Sequence, residues 1–298
     1  MRYLSIFILC LLMLNGCTSL KAVLAMSKST DGFVSLKQDP RIKHENGSIN
    51  LAQEIAPYLD SAIQTIENKQ GAFKKPVLIY ITKSIDSFSS YCASQYPSAC
   101  VIGDRLFISP KLLKQKDRIP GILTHELSHL QQTQDIGRWD YQTKLPVWFK
   151  EGLAVYVSGG SGAEGITEQK AVEAIDQGKA INPNGSGGLL FRKTASSFGL
   201  KSHMFYRQSE MYVKWLHDMN PSKFRQLFAT LRQGKTLDEA LSSVYGFSVQ
   251  QGWGKFKGEL KHNKANSADA KSRAADLRRY IDLIRNLGRS NMALRFKS

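Results

Sequence analysis

Residues 124–134 read THELSHLQQTQ and place His125, Glu126 and His129 within little more than one helical turn. Residues four apart on a helix lie on one face, about 6 Å apart along the axis, so two imidazoles so spaced can point at one ion. Glu126 follows the first histidine directly and stands beside that ion rather than behind the helix. H-E-x-x-H at this spacing is the pattern of zinc hydrolases in which the Glu is a base and not a ligand. Without a metal, the same stretch is a polar helix face that carries two histidines by chance. Ile122, Leu123, Leu127 and Leu130 supply apolar positions around it, so the segment reads as a buried amphipathic helix. Two imidazoles near a core need a partner, and a metal is one.

A catalytic zinc site needs a third protein ligand. Asp135 is one candidate, but the sharp turn that would bring it back calls for Gly where the chain has Gln132. Glu151, in LPVWFKEGLAVY (145–156), is the other. Pro146 suits a helix start, and Trp148, Leu153, Val155 and Tyr156 make that helix strongly apolar. A carboxylate inside such a helix is costly unless paired or metal-bound. Two histidines from one helix and a Glu from the next form a His₂Glu set that leaves the fourth position for water.

THELSH followed by VWFKEGLA resembles the gluzincin peptidases, the thermolysin-like or peptidase MA-like catalytic domain related to the M1 aminopeptidases. The matching residues are His125, Glu126 and His129, then Trp148, Glu151, Gly152, Leu153 and Ala154. The resemblance implies an α+β zincin domain over 49–260, with a small mixed sheet, a metal-binding helix and a helical C-terminal part. It implies Zn2+ held by His125, His129 and Glu151, Glu126 as general base, and a protein or peptide substrate. PVLIYIT (76–82) resembles the family's first strand, DRLFISP (104–110) the edge strand before the metal helix, and TLDEALSSVYGFSVQQGWGKF (236–256) its closing helical segment. Thermolysin carries an Asp four residues after its ligand Glu; Val155 stands there in this chain, so the likeness is to the M1 or MA-like branch.

The same resemblance assigns Tyr206, in HMFYRQSEMYVKWL (203–216), as the oxyanion donor, with Ser209 where the relatives' Y-x-x-G setting has Gly. His203 is the alternative, as a His serves in thermolysin. Tyr206 also reads as a plain core aromatic, because Met211, Tyr212 and Trp215 give that helix an apolar face. M1 aminopeptidases anchor the substrate's amino terminus with a Glu in G-x-M-E-N on the edge strand. GDRLFISP has no Glu, so the resemblance implies an endopeptidase. The competing class is a catalytically silent zincin shell that acts as a binding or assembly module, which has no need of Glu126.

The N-terminus, MRYLSIFILCLLMLNGC, has Arg2 and then an apolar run from Tyr3 to Leu14. That run is too short for a stable membrane anchor, which needs about 20 residues, and fits an export signal. LNGC (14–17) resembles a lipobox, which implies removal of 1–16 and lipidation of Cys17. Thr18 in place of Asp implies sorting to the outer membrane, facing the periplasm. Residues 17–48 are polar and read as a tether. Cys92 and Cys100 are then an even pair in an oxidising compartment and are expected to form a disulfide.

The net charge is +16, and 261–298 hold ten Lys or Arg against three Asp. This basic, partly helical tail, with LRRYIDLIRNL at 277–287, reads as solvated or as a contact for acidic lipid heads or envelope polymers. An exported chain does not meet nucleic acid. Ile49, Ala52, Ile55, Leu59, Ile63 and Ile66 predict a helix with Pro57 as an irregularity. The glycine-rich loops 158–165 and 182–188 flank AVEAIDQ, a short predicted helix, and read as lids or insertions.

Overall fold

The computed structural model describes residues 24–188 and 192–266, with Arg273 and Arg278. The expected signal, Cys17 and nearly all of the basic tail lie outside these residues. The chain divides into two compact units after Gln250. The second is described as a helical segment over 251–266. Among the described residues no helix is long and apolar enough to cross a membrane.

The first unit has a five-stranded mixed sheet in the order β1-β2-β3-β5-β4. The strands are β1 (Val34–Ser35), β2 (Ile42–His44), β3 (Ile79–Ile81), β4 (Ala99–Ile102) and β5 (Arg105–Ile108). β2, β3 and β5 run parallel, and β1 and β4 pair antiparallel at the two edges. The central strands read as apolar runs, IYI in β3 and LFI in β5, because both faces are covered.

Residues 34–44 belong to the sheet and not to a tether, with Leu36 and Ile42 buried in the core. Strands of two or three residues leave no hydrophobic period, and the polar composition around them hides the few apolar anchors. The segment 104–110 is also not the edge. β5 is paired on both sides, and β4, joined to it by a tight turn at Gly103 and Asp104, is the edge strand. Gly103 takes φ +64°, the left-handed backbone that the turn requires.

Cys92 and Cys100 form the expected disulfide, with Cα atoms 6.1 Å apart. It ties the last residue of helix α2 (Ile85–Cys92) to the edge strand. Phe33, Tyr80, Phe88, Tyr91 and Phe107 pack around it as one aromatic cluster.

Helix α1 (Ile49–Lys69) passes through Pro57 unbroken and buries Leu51, Ala52, Ile55, Leu59, Ala62 and Ile66 against the sheet and helix α3 (Ile119–Ile136), while Ile49 faces solvent. Helix α3 carries the histidines and has Pro120 in its first turn. α3 is buried on more than its apolar side. Ser128, Gln131 and Gln132 are also enclosed; Ser128 and Gln131 meet Gln70 at the end of α1, and Gln132 meets Ser128. Gln70 Nε2 donates to Gln131 Oε1 at 2.7 Å, Ser128 Oγ to Gln70 Oε1 at 2.6 Å, and Gln132 Nε2 to Ser128 Oγ at 3.2 Å.

After the short α4 (Arg138–Thr143) comes α5 (Val147–Val157), which holds Glu151. Helix α6 (Glu168–Asp176) covers the predicted AVEAIDQ segment. Then follow α7 (Ser202–Met219), α8 (Pro221–Leu231) and α9 (Leu237–Tyr245). Asn220 caps α8 by accepting from Lys223 N at 2.9 Å, and Thr236 and Glu239 form a capping box on α9.

α5 and α7 touch backbone to backbone at Gly152. A Cβ there would stand 2.6 Å from Ser209 O and 3.0 Å from Val213 Cγ2. This approach sets Glu151 and Tyr206 on facing helices. Gly152→Ala is expected to force α5 and α7 apart and to cost about 1–3 kcal/mol, read as a lower urea midpoint. An unchanged midpoint would mean that the close approach is dispensable.

Candidate metal centre and catalytic cleft

His125 and His129 stand one turn apart on α3, with their Nε2 atoms 3.2 Å from each other. Glu151 Oε2 reaches in from α5 and lies 3.5 Å from each of those nitrogens. The three side chains are a group that could hold a metal ion. Two nitrogens on one tetrahedral zinc, with bonds of roughly 2.0–2.1 Å, stand about 3.3 Å apart, which fits this pair.

The outer nitrogens are also engaged. His125 Nδ1–H donates to Ser161 O at 3.0 Å. His129 Nδ1 lies 3.1 Å from the Tyr141 hydroxyl. With Nδ1 carrying the hydrogen, each ring turns its Nε2 lone pair toward the centre, as metal-ligating histidines do. The donor set therefore fits zinc.

Asp135, the other candidate ligand, is turned away into ion pairs with Arg232 at 2.8 Å and Lys74 at 3.2 Å. The structure thus brings together His125, His129 and Glu151 and leaves Asp135 out.

Electrostatics at the centre are dominated by burial against pairing. Burial pushes the Glu151 carboxyl up, but the imidazoles of His129 and His125 outweigh it and hold Glu151 well below the usual carboxylate range. Burial pushes His125 down, and its contact with Glu151 more than reverses this. Glu126 differs: burial raises its carboxyl, His129 and His125 only partly offset that, and Glu151 adds to it. One carboxylate is therefore fixed as an anion, while the other has a heightened affinity for a proton.

Glu126 lines a cavity of about 170 Å³ together with Ser98, Ala99, His125, Gly162 and Tyr206. Ala99 opens the edge strand β4, so this strand borders the cleft, a place that sequence reasoning gave to 104–110.

Tyr206 is half-buried on α7, with its ring centre 6.4 Å from that of His125. The charge of Glu151, then burial, then Glu126 push its phenol upward, so it stays a neutral donor. Its hydroxyl makes no hydrogen bond among the described residues and is free to meet a ligand. His203 is exposed, and its Nδ1–H donates to Glu164 O at 2.6 Å. Of the two oxyanion candidates, Tyr206 is the one that lines the cavity with Glu126.

Three parts of the site were not read from the sequence. Tyr141 backs His129 from α4, a helix of six residues with no distinguishing pattern. Lys150 is buried next to Glu151 in the chain, where its Nζ donates to Tyr141 O at 3.3 Å and sits 4.6 Å from the Tyr141 ring centre. Burial and then the charge of Arg192 push this ammonium down to about 7, against the pull of Glu151.

The third part is the loop 158–165. It supplies the Ser161 carbonyl and lays Gly162, at φ +94°, against the rings of His125 and Tyr206. Arg118 holds this loop through Glu164 at 2.9 Å, and Arg207 Nε donates to Ile166 O at 2.8 Å just beyond it. A run of glycines showed that the chain turns here but not where it lands.

About one zinc per chain is expected, lost in His125→Ala and in Glu151→Ala and retained in Asp135→Asn, by metal analysis. Zinc kept in Glu151→Ala and lost in Asp135→Asn would reverse the assignment. Tyr141→Phe is expected to bind zinc about 10- to 100-fold less tightly in chelator competition. Unchanged competition would remove Tyr141 from the support of His129.

The family model of the Peptidase MA superfamily matches residues 117–258, which include α3, Glu151 and Tyr206. No curated protein matches the chain. Among solved structures, the chain is similar to yeast leukotriene A4 hydrolase in complex with bestatin, at 16% identity and a TM-score of 0.45, over 72% of this chain and 36% of that one. It is similar to the native yeast enzyme at 16% identity and a TM-score of 0.46, over 76% and 37%. The chain thus matches little more than a third of the length of those structures. The superfamily match supports a gluzincin-like, peptidase-type domain over the residues that build the centre.

Proposed function

We propose that this chain is a zinc-dependent peptidase of the bacterial cell envelope that cuts inside its substrates. The observation that carries the reading is the convergence of His125, His129 and Glu151 on one point with Glu126 beside it in the cleft. Zinc held by the three ligands supplies a Lewis acid that acidifies water and polarises a carbonyl. Glu126 takes the water's proton and hands it to the leaving amine, a role that its raised proton affinity suits. Tyr206 donates a hydrogen bond where negative charge develops on the carbonyl oxygen. The substrate lies extended along β4 as an added strand, with main-chain hydrogen bonds. A silent binding module would have no use for Glu126 in the cleft.

Internal cleavage is proposed because neither 98–102, at the cleft's edge strand, nor 104–110 contains a Glu to hold a substrate amino terminus. The envelope location rests on the export signal and the lipobox at Cys17, with sorting to the outer membrane and the catalytic domain in the periplasm. The basic tail supports a further contact with acidic lipid heads or polymers of that compartment.

Glu126→Gln is expected to keep zinc and fold and to lose nearly all turnover. Comparing cleavage ends in envelope proteins from wild-type and Glu126→Gln cells identifies the substrates, and identical end profiles would refute the peptidase reading. Tyr206→Phe is expected to keep zinc and KM and to lose about 10²–10³ in kcat. Full activity of that variant beside a crippled His203→Ala would give the role to His203. Cys17→Ser is expected to release the protein from the membrane fraction, and unchanged fractionation would overturn the lipid anchor.

A further inference from the structure

Two cavities meet at Tyr206. The smaller holds Glu126 and the start of β4. The larger, about 740 Å³, opens from Glu151 and Tyr206 toward the segment that leads into α7.

Their charges differ. Arg118 of the smaller cavity is neutralised by Glu164 at 2.9 Å and donates to Gln115 Oε1 at 2.7 Å. The larger cavity is lined by Arg192 and Lys201, and among the described residues neither side chain makes an ion pair or a hydrogen bond. Glu151 is the acid on that wall, and it is engaged by both histidines. The hydroxyls of Thr194 and Ser196 stand on the same wall, and Val147 and Phe205 give it apolar surface.

We infer that this second lobe of the cleft binds a carboxylate of the substrate, held by Arg192 and Lys201 beside the bond that is cut. The inference rests on the peptidase reading of the centre and adds a substrate class to it. Unpaired cations on a concave, partly apolar wall concentrate a positive field. The guanidinium matches a carboxylate with two parallel donors, and the lysine adds a point charge. The apolar surface takes the methylene stem of an acidic side chain. A free chain end presents the same carboxylate, so the two sources must be separated.

The test uses zinc-loaded Glu126→Gln protein and fluorescein-labelled pools of short peptides built from Ala, Leu, Ser and Phe. Each pool carries one fixed internal Glu, Gln or Lys and is made with a free and with an amidated C-terminus. In fluorescence anisotropy the amidated Glu pool is expected to bind about three- to tenfold more tightly than the amidated Gln pool. Adding Arg192→Ala and Lys201→Ala brings that ratio to about one, and the pair Arg192→Glu and Lys201→Glu makes the Lys pool the tightest. A gain for the Gln pool on freeing its C-terminus, lost in the same variants, assigns the lobe to chain ends as the carboxylate source.

Equal binding of all neutral and acidic pools, or a preference that survives both substitutions with zinc content and melting unchanged, overturns the inference. A failed peptidase reading shows separately, as wild-type protein that cuts none of the pools, and the binding ratios still decide the lobe.

Discussion

The structure depends on keeping one carboxylate charged inside an apolar helix. Glu151 is half-buried at the wall of the cleft, where an anion left unpaired would still be costly. A cation shared with the two imidazoles of α3, or a proton on an imidazole in its absence, offsets that cost and favours the ionised form. The pairing requires α3 and α5 to keep their spacing, and α5 is in turn set by its backbone contact with α7 at Gly152. Core packing and metal chemistry are therefore one constraint. A cation bound to the native centre and not to the unfolded chain adds its binding energy to the fold.

The metal helix is unusual in having no dry face and wet face. Its histidine side looks into the cleft, and its Ser128, Gln131 and Gln132 side is buried against α1. Gln70 links Ser128 and Gln131 into a connected set of hydrogen bonds that Gln132 joins through Ser128, while the Gln132 amide oxygen stays without a partner among the described residues. Such a set prefers one rotation of the helix over others, since a turn about the axis would leave several buried polar groups unpaired. The direction of the two imidazoles is thus fixed from behind as well as from the front.

The grouping of His125, His129 and Glu151 was legible in the sequence because a helix converts spacing into direction. His125 and His129 needed nothing else, and Glu151 stood out as an acid among apolar residues. Tyr206 needed resemblance, because a lone aromatic on an amphipathic helix carries no signal of its own. The edge strand was misplaced because β4 and β5 are adjacent and equally apolar, and only pairing tells them apart. β1 and β2 were lost to their shortness. Tyr141, Lys150 and Arg192 reach the site through tertiary contacts that link distant positions, and no local pattern encodes those.

One such contact has an evolutionary consequence. The group that orients His125 is the main-chain carbonyl of residue 161, and the Ser161 side chain takes no part in that bond. Ser161 is buried close to Gly121 of the histidine helix, so any small residue able to follow the same backbone path could stand at 161 without disturbing the ring. The constraint passes instead to Gly162, whose left-handed backbone strains any other residue and where a Cβ would stand 3.3 Å from His125 Cε1. Among distant homologues, support for this histidine would be inherited as a glycine and a loop length, and a search for a retained polar residue would miss it.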